Sequence, residues 1–268
     1  MSKGARVRQQ RVQAPQKRGG RRIKTPQPAG KTGSRRNLYL GVLGAVVVLA
    51  AVLVGASVLS SGGSSSSPKT VSISSVGATN ELLAGIPQNG IVLGNPNAPV
   101  TMQEFADIQC PGCDQYMRSA FPDIVRKYVR PGKVRIEWKG ISFLGPDSEK
   151  GLRYVNAAGE QNKLWNVAEL LYRNQGTENS GWVTNELLRS VGEAVPGLDA
   201  DKVEANVNSS AVNREMADAA NEFSTFGLSS TPGFAIGPTG GTLQVFNPSA
   251  YSVDAFAPTF AKYLKQSR

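Results

Sequence analysis

The stretch EFADIQCPGC, residues 104–113, decides the fold of this chain, because it joins a predicted strand to a predicted helix. Residues 100–107 read VTMQEFAD, in which β-branched and aromatic residues follow Pro99, as is typical of a strand. Pro111 suits the first turn of a helix, where a missing N–H leaves no helical hydrogen bond unmade. Apolar residues then recur at helical spacing, at Met117, Phe121, Ile124, Val125 and Tyr128. Both cysteines of the chain therefore lie where the strand passes into the helix.

The two cysteines, Cys110 and Cys113, allow three kinds of chemistry. A structural zinc site needs four Cys or His ligands, and this chain has two cysteines and no histidine, so we predict no metal site. A structural disulfide between such near neighbours closes a very small loop and stabilises a fold only weakly. The third alternative is a redox-active pair, which the predicted helix favours because its dipole and free amides stabilise a thiolate.

A redox pair would give the two thiols different roles. Cys110 precedes the first helical turn and is predicted to be the exposed nucleophile that carries a mixed disulfide. Cys113 lies one turn deeper and is predicted to be the shielded, resolving cysteine. Pro111 and Gly112, which separate the two thiols, carry neither an imidazole nor a charge. The acidity of Cys110 would then depend on backbone amides and the helix dipole alone.

Glu104 is a candidate proton relay for Cys113. Alternation along the strand places Glu104 on the same face as the apolar Met102 and Ala106. A carboxyl group in such surroundings would have a raised pKa and could take the proton from Cys113. The alternative is a surface glutamate paired with a lysine. We interpret Asp107 as a loop or capping residue and not as a catalyst.

The rest of the chain predicts a βαβ unit, a block of helices and a ββα unit. Pro122 predicts a kink in the first helix. A helical insertion is expected at about 147–227, with helix caps at Thr184 and Asp199 and a helix end at Gly227. The tryptophans Trp138, Trp165 and Trp182 are expected to be core residues. The remaining predicted elements are strands Val134 to Trp138, Gly233 to Ile236 and Thr242 to Phe246, and a helix from Ser252 to Lys265.

The N-terminal part of the chain predicts a membrane anchor. Residues 1–37 carry twelve Lys or Arg and no Asp or Glu, and they are expected to form a disordered cytoplasmic tail. Residues 38–59 contain no charge and are long enough to cross a bilayer as one helix. The basic flank places the N-terminus in the cytoplasm, and the alternative, a cleaved signal peptide, would export the same domain. Residues 60–89 are predicted to be a flexible linker, and residues 90–268 the folded extracytoplasmic domain.

The overall charge of the chain does not indicate a nucleic-acid partner. The formal net charge is +10, but the tail holds twelve of the thirty basic residues. The other eighteen face all twenty acidic residues. The part of the chain after the tail is therefore slightly acidic and lacks the basic surface that nucleic acids require.

From about Gly90 to Lys265, the chain resembles the DsbA-like thiol-disulfide oxidoreductases, in particular the membrane-anchored bacterial ones. The resemblance rests on EFADIQCPGC after a strand, the helical insertion, and TPGF, residues 231–234, before a late strand. It implies an α/β thioredoxin-like fold and a cis peptide between Thr231 and Pro232, packed against the disulfide. It also implies that the Thr231 backbone binds an extended substrate, and that a quinone-linked membrane partner reoxidises the enzyme. Gly112 departs from the pattern, since histidine is common there, and leaves the redox direction open.

We therefore predict a single-pass membrane protein whose extracytoplasmic domain oxidises cysteines of exported, folding proteins. The Cys110–Cys113 disulfide would be its only redox group. The alternatives with the same chemistry are a disulfide reductase or isomerase. An alternative of another class is an anchored binding or sensor module without catalytic activity.

Overall fold

The computed structural model describes residues 70–266. The predicted tail, the predicted membrane helix and the first ten residues of the predicted linker lie outside this range. Within the described range, none of the helices combines the length and the apolar character that a membrane span requires.

The described residues form eight α-helices and six strands. The first helix and the first two strands are additions to the predicted order, and the other elements follow it. The helices are α1 Val76–Leu83, α2 Pro111–Ile124, α3 Pro146–Gly159, α4 Leu164–Arg173, α5 Asn185–Ala194, α6 Ala200–Asn206, α7 Ser210–Thr225 and α8 Val253–Gln266. The strands are β1 Gln88–Asn89, β2 Val92–Leu93, β3 Val100–Ala106, β4 Val134–Gly140, β5 Gly233–Pro238 and β6 Gln244–Val245.

The six strands form one mixed sheet in the order β1-β2-β4-β3-β5-β6. Strands β3 and β4 are parallel, and every other neighbouring pair is antiparallel. All seven residues of β3 are buried, because β3 has a neighbour on each side and helices cover both of its faces. The strand that leads to the thiols is thus at the centre of the domain.

One face of the sheet, which we call the thiol face, packs against α2, α4 and α8. Val100, Met102 and Ala106 of β3 point to this face and join the main hydrophobic core. Aromatic rings fill the space above them: Tyr116 lies 4.9 Å from Phe234, measured between ring centroids. Two of the three predicted core tryptophans, Trp138 and Trp165, are fully buried here, and Trp182 is partly buried.

The opposite face, which we call the sealed face, packs against α7. The Phe105 ring of β3 lies 5.8 Å from that of Phe223 in α7 and 5.9 Å from that of Phe226, the C-cap residue of α7, measured between centroids. Beside Phe105 on β4, the Lys139 ammonium lies 2.6 Å from the Glu222 carboxylate of α7. The helix thereby closes this side of the sheet with both apolar and ionic contacts.

Helix α2 continues through the predicted kink position, Pro122, and then widens. Residues Val125–Val129 form a π-helical turn in which the Arg130 N–H donates to the Val125 carbonyl at 2.8 Å. Proline has no N–H and removes one hydrogen bond from the preceding turn, so a change of helical pitch near it is expected. Helix α2 keeps its N-terminal half regular, and this half carries the cysteines.

Helices α3 to α7 form the insertion between β4 and β5, where the sequence predicts it. Two of the predicted caps are present. The Thr184 hydroxyl accepts from the Leu187 N–H at 3.1 Å, and the Asp199 carboxylate accepts from the Lys202 N–H at 3.1 Å.

The prediction of a flexible linker over residues 60–89 is wrong for its described part. Helix α1 lies within this range and buries Thr79, Leu82 and Leu83. Ahead of it, the Ser74 N–H donates to the Asn174 side chain of α4's C-terminus at 2.9 Å. Small and polar residues dominate this range, and for that reason the sequence predicts a linker. The segment is instead a short amphipathic helix whose apolar side packs on the domain, so the folded region begins before Gly90.

Candidate active site

The cysteines occupy the first turn of α2, where the backbone changes from extended to helical. Cys110 is the N-cap, with φ −70° and ψ 119°, and its sulfur accepts from the Cys113 N–H at 3.4 Å. Both cysteines are free thiols. Cys110 is 7% exposed and Cys113 is fully buried, so Cys110 is less exposed than predicted but is the accessible member of the pair.

The surroundings lower the pKa of Cys110. It falls from 9.0 to about 6, chiefly because the Cys113 thiol donates a hydrogen bond to the Cys110 thiolate. The Thr231 side chain and the backbone N–H groups of Cys113 and Gly112 lower it further, while burial acts in the opposite direction. Cys110 is therefore largely a thiolate at neutral pH.

Cys113 behaves in the opposite way. Burial raises its pKa well above 9.0, and the neighbouring Cys110 adds to the increase. A group with so high a pKa keeps its proton at neutral pH until another group removes it. The two thiols, one helical turn apart, are thus held in different protonation states.

The resemblance placed Thr231 and Pro232 beside the thiols, and the structure brings them together. The Thr231–Pro232 peptide bond is cis. The Thr231 carbonyl oxygen lies 3.2 Å from Sγ of Cys110. A Cβ atom at Gly112 would lie only 3.3 Å from Cδ of Pro232, so the turn between the cysteines packs directly on the proline. Pro111, in the same turn, is exposed.

Glu104 is fully buried on the thiol face, as the strand alternation predicts. The alternative of a surface glutamate paired with a lysine is wrong. Neither carboxyl oxygen has a hydrogen-bond partner among residues 70–266. Burial raises the pKa of Glu104 from 4.5 to about 8; the charge of Glu169 adds to the increase, and the Tyr116 hydroxyl offsets a smaller part. Glu104 is therefore mostly protonated at neutral pH.

Sequence reasoning missed Glu169, a second buried carboxyl group whose charge acts on Glu104. Its side chain is 0% exposed, and it pairs with Arg173 at 2.7 Å. Glu169 belongs to a predicted helix in which apolar residues dominate, but nothing in the local pattern shows that this helix approaches β3. The only available signal was a charged residue among the apolar positions of α4.

Asp107 organises the loop between β3 and α2, in keeping with its interpretation as a loop residue. Its carboxylate accepts from the Gln109 N–H at 2.9 Å, from the Ser148 hydroxyl at 2.6 Å and from the Phe143 N–H at 3.1 Å. Its carbonyl accepts from the Tyr172 hydroxyl at 3.1 Å. These bonds tie the loop before Cys110 to the insertion and fix the start of α2.

A mixed sheet, a cysteine pair at a helix N-terminus and an adjacent cis-proline define the thioredoxin class of folds. The family model described as thioredoxin matches residues 87–240, and the chain belongs to this family.

Relatives whose names refer to disulfide bond formation match about half of the chain. The chain is 30% identical over 141 residues to the probable disulfide bond formation protein D of Bacillus cereus, covering 52% of this chain and 64% of that protein. It is 28% identical over 137 residues to the disulfide bond formation protein D of Bacillus subtilis, covering 48% of this chain and 60% of that protein. The match therefore spans less than two thirds of either relative.

Two solved structures show the same fold. The structure of oxidised BdbD from Bacillus subtilis superimposes with a TM-score of 0.57 at 22% identity, over 67% of this chain and 97% of that chain. Wolbachia pipientis α-DsbA1 superimposes with a TM-score of 0.57 at 21% identity, over 70% of this chain and 97% of that chain. The described domain thus has a DsbA-like thioredoxin fold.

Proposed function

We propose that this chain is a membrane-tethered thiol-disulfide oxidoreductase that oxidises cysteines of exported proteins outside the cytoplasm. The observation that carries the proposal is the asymmetry of the thiol pair. The pKa of Cys110 is lowered to about 6, whereas that of Cys113 is raised well above 9.0. The names of the Bacillus relatives, which refer to disulfide bond formation, support the same chemistry.

The reaction begins with the Cys110–Cys113 disulfide. A substrate thiolate attacks Sγ of Cys110, the bond between the two enzyme sulfurs breaks, and its electron pair stays on Cys113. The Cys113 thiolate is unfavourable because its sulfur is buried, so it must take up a proton as it forms. Glu104 is our candidate for the group that supplies this proton, because it is buried under α2 and mostly protonated at neutral pH.

The second step releases the oxidised substrate. Another substrate thiolate attacks the substrate sulfur of the mixed disulfide and displaces Cys110 as a thiolate. A thiolate with a pKa of about 6 is a good leaving group, which favours oxidation of the substrate over its reduction. The substrate loses two electrons and two protons in total. Both electrons remain on the enzyme sulfurs, one proton ends on Cys113, and the other goes to solvent because Cys110 remains a thiolate.

Substrate binding would use the backbone beside the thiols. Thr231 precedes β5, and its carbonyl lies 3.2 Å from Sγ of Cys110. An extended polypeptide can pair with the backbone of this half-buried segment while its cysteine reaches the reactive sulfur. Recognition through the backbone suits an enzyme that acts on many sequences.

The cycle requires an oxidant, because each turnover leaves two electrons on the thiols. The predicted helix at residues 38–59 would hold the domain at the membrane, where a membrane partner could accept these electrons. The resemblance to membrane-anchored DsbA-like enzymes suggests that this partner is linked to quinones. Digestion of intact cells with an external protease tests the topology, and survival of the whole folded domain would contradict it.

The test of the proposed chemistry is a trapping experiment with Cys113→Ala. Without the resolving thiol, Cys110 should accumulate mixed disulfides with exported proteins, which non-reducing gels reveal. Cys110→Ala is the matched control and should trap nothing. A binding or sensor module would trap nothing in either variant.

The reduction potential of the pair tests the direction. A potential well above that of thioredoxin, about −270 mV, would agree with an oxidase. A potential near the thioredoxin value would instead favour a reductase and contradict the proposed direction.

A further inference from the structure

A pocket lies where the N-terminus of α4 meets the C-terminal end of α1. Its volume is about 530 Å³, which is the size of a pocket for a small organic ligand. Asn162, Lys163 and Asn166 line the pocket at the start of α4, and the apolar Leu83 and Ile86 line it on the side of α1. We call this pocket the α4 pocket.

The α4 pocket is separate from the thiols. The Tyr172 hydroxyl donates to the Asp107 carbonyl, so the C-terminal end of α4 lies beside the loop that leads to Cys110. Leu164, at the other end of α4, is eight positions before Tyr172. At about 1.5 Å per residue, this separation corresponds to roughly 12 Å along the helix axis. The proposed thiol exchange therefore does not explain the pocket.

The N-terminus of α4 gives the pocket a positive character. Lys163 is the N-cap residue of this helix, and its side chain makes no capping hydrogen bond. Within residues 70–266, the Lys163 ammonium is in no ion pair, and the Asn166 N–H in the first turn has no acceptor. Lys163 is also the single charged residue among the described residues that line the pocket. The helix dipole and the ammonium group thus both favour an anion here.

A buried carboxamide adds a directed donor to the pocket. Asn166 is 7% exposed, and its Oδ1 accepts from Nε2 of Gln88 at 2.7 Å. The orientation of Gln88 is fixed in turn, because its Oε1 accepts from the Trp165 N–H at 3.3 Å. Nδ2 of Asn166 therefore points away from Gln88, and it has no acceptor among residues 70–266. Since this Nδ2 is not one of the side-chain atoms closed off from solvent, it faces the α4 pocket.

The C-terminal end of α1, the second helix end at the pocket, does not cancel this positive character. The last carbonyl groups of a helix carry partial negative charge. Here the Arg130 guanidinium donates to the carbonyls of Leu82 and Ala84 at 2.8 and 2.9 Å. The charge of Arg130 offsets that of the carbonyls, so the ammonium group and the free amides at the start of α4 determine which ligand is favoured.

We infer that the α4 pocket binds a carboxylate group, either of a small organic acid or at the C-terminal end of a peptide. The carboxylate oxygens would accept from Nδ2 and the N–H of Asn166 and from the Lys163 ammonium. A phosphate group can carry two charges and suits a lining with one cation less well. Leu83 and Ile86 would contact the apolar remainder of the ligand. The inference does not depend on thiol exchange, so either can fail without the other.

The test is a calorimetric titration of the full chain, in detergent micelles, with N-acetyl-alanyl-alanine. This peptide ends in a free carboxylate, and the same peptide with a C-terminal amide is the matched probe of equal size without the charge. We expect the amide to bind at least about tenfold more weakly, because it loses charge-assisted hydrogen bonds. Equal affinities for the two peptides, or binding of neither, would overturn the inference.

Two variants locate the carboxylate in the α4 pocket. Lys163→Gln removes the cation and should weaken binding of the carboxylate peptide about tenfold. Asn166→Asp keeps the acceptor for Gln88 but replaces the free donor with a charged oxygen, so it should remove the preference for the carboxylate over the amide. Lys265→Gln, the same change at an exposed position of α8, is the matched control and should bind as the wild type does.

The variants also decide against the inference if the site is elsewhere. Asn166→Asp alters a buried hydrogen bond, so thermal unfolding is measured first, and Lys163→Gln alone decides the result if Asn166→Asp is not folded. An affinity of Lys163→Gln equal to that of the wild type would show that the carboxylate does not bind at the start of α4.

Further probes separate the two sources of the carboxylate. An affinity that rises from acetate to N-acetyl-alanine and then stays constant in N-acetyl-alanyl-alanine would identify a small organic acid. A further rise with the second alanine would identify the end of a peptide, and both results support the inference. Inorganic phosphate that binds more tightly than all three would overturn it in favour of a general anion site.

Discussion

The two faces of the central sheet treat buried charge in opposite ways. On the sealed face, the Lys139 side chain is 8% exposed and pairs with Glu222 at 2.6 Å. On the thiol face, Glu104 is 0% exposed and has no counter-ion among the described residues. The two sites lie on adjacent strands of one sheet, so the difference arises from the helices that cover them.

This difference shows where the domain gives up stability. An ionised group that is buried without a partner raises the free energy of the folded state. The pKa of such a group therefore shifts until the group is neutral at the ambient pH. Helix α7 supplies a counter-ion on the sealed face, whereas α2 brings two thiols to the thiol face and no cation to Glu104. A carboxyl group with a pKa of about 8, next to a tyrosine of the helix that carries the thiols, suits proton transfer better than it suits stability.

The largest effect is expected for Glu104→Gln, measured as a dependence of stability on pH. In the wild type, the pKa of Glu104 is about 8 in the folded state against 4.5 for the free side chain. The unfolded state therefore loses this proton first, and stability falls as pH rises from about 4.5 to about 8. The total fall is roughly 3–5 kcal/mol, and Glu104→Gln should lack it. Urea unfolding of the reduced protein at pH 5, 6.5 and 8 measures the difference.

The same variant should impair thiol exchange while it stabilises the fold at pH 8. We expect the reaction with a reduced dithiol peptide at pH 7 to slow by at least about tenfold, because the proton for Cys113 must then come from solvent. A variant that is more stable and equally active would show that Glu104 is a structural residue only.

A smaller effect of the opposite sign is expected for Glu222→Gln, the same chemical change on the sealed face. The substitution removes the ion pair of the buried Lys139 ammonium and leaves it only the weaker attraction of Glu215, so the free energy of unfolding should fall by about 1–3 kcal/mol at pH 8. The exchange rate should remain within about twofold of the wild type, since hydrogen bonds and charges at the thiols are untouched. Equal signs for the two glutamate variants would contradict the comparison of the two faces.

The smallest effect is expected for Thr184→Ala, which lies outside both faces. The change removes the side-chain cap of α5 and should destabilise the domain by about 1 kcal/mol at every pH. Thermal unfolding measures this loss, and the exchange rate serves as the control because it should not change. A loss of activity in this variant would mean that the helical insertion influences the thiols directly.

Local patterns in the sequence predicted most of the elements and the position of the thiols. Strand alternation correctly assigned Glu104 to an apolar face, and the helix signals correctly placed the caps at Thr184 and Asp199. The pattern failed for α1, because a helix of eight residues with small polar side chains differs little from a linker until its apolar side packs on the domain.

Contacts between distant parts of the chain could not be predicted from local sequence patterns. Glu222 is 83 positions from Lys139, and Thr231 is 121 positions from Cys110. Nothing in the sequence indicates that Lys139 and Glu222 form an ion pair. Thr231 was placed correctly only because the chain resembles a family in which a threonine or a similar residue precedes the cis-proline.

The order strand, cysteines, helix and the burial of Glu104 follow from the sequence by itself, because residue periodicity and capping are local properties of the chain. Only the tertiary structure decided that Glu104 has no counter-ion among the described residues and that Lys139 has one. These features depend on which helix covers which face of the sheet. Packing between distant segments produces no periodic pattern of residues, so it cannot be predicted from the sequence in this way.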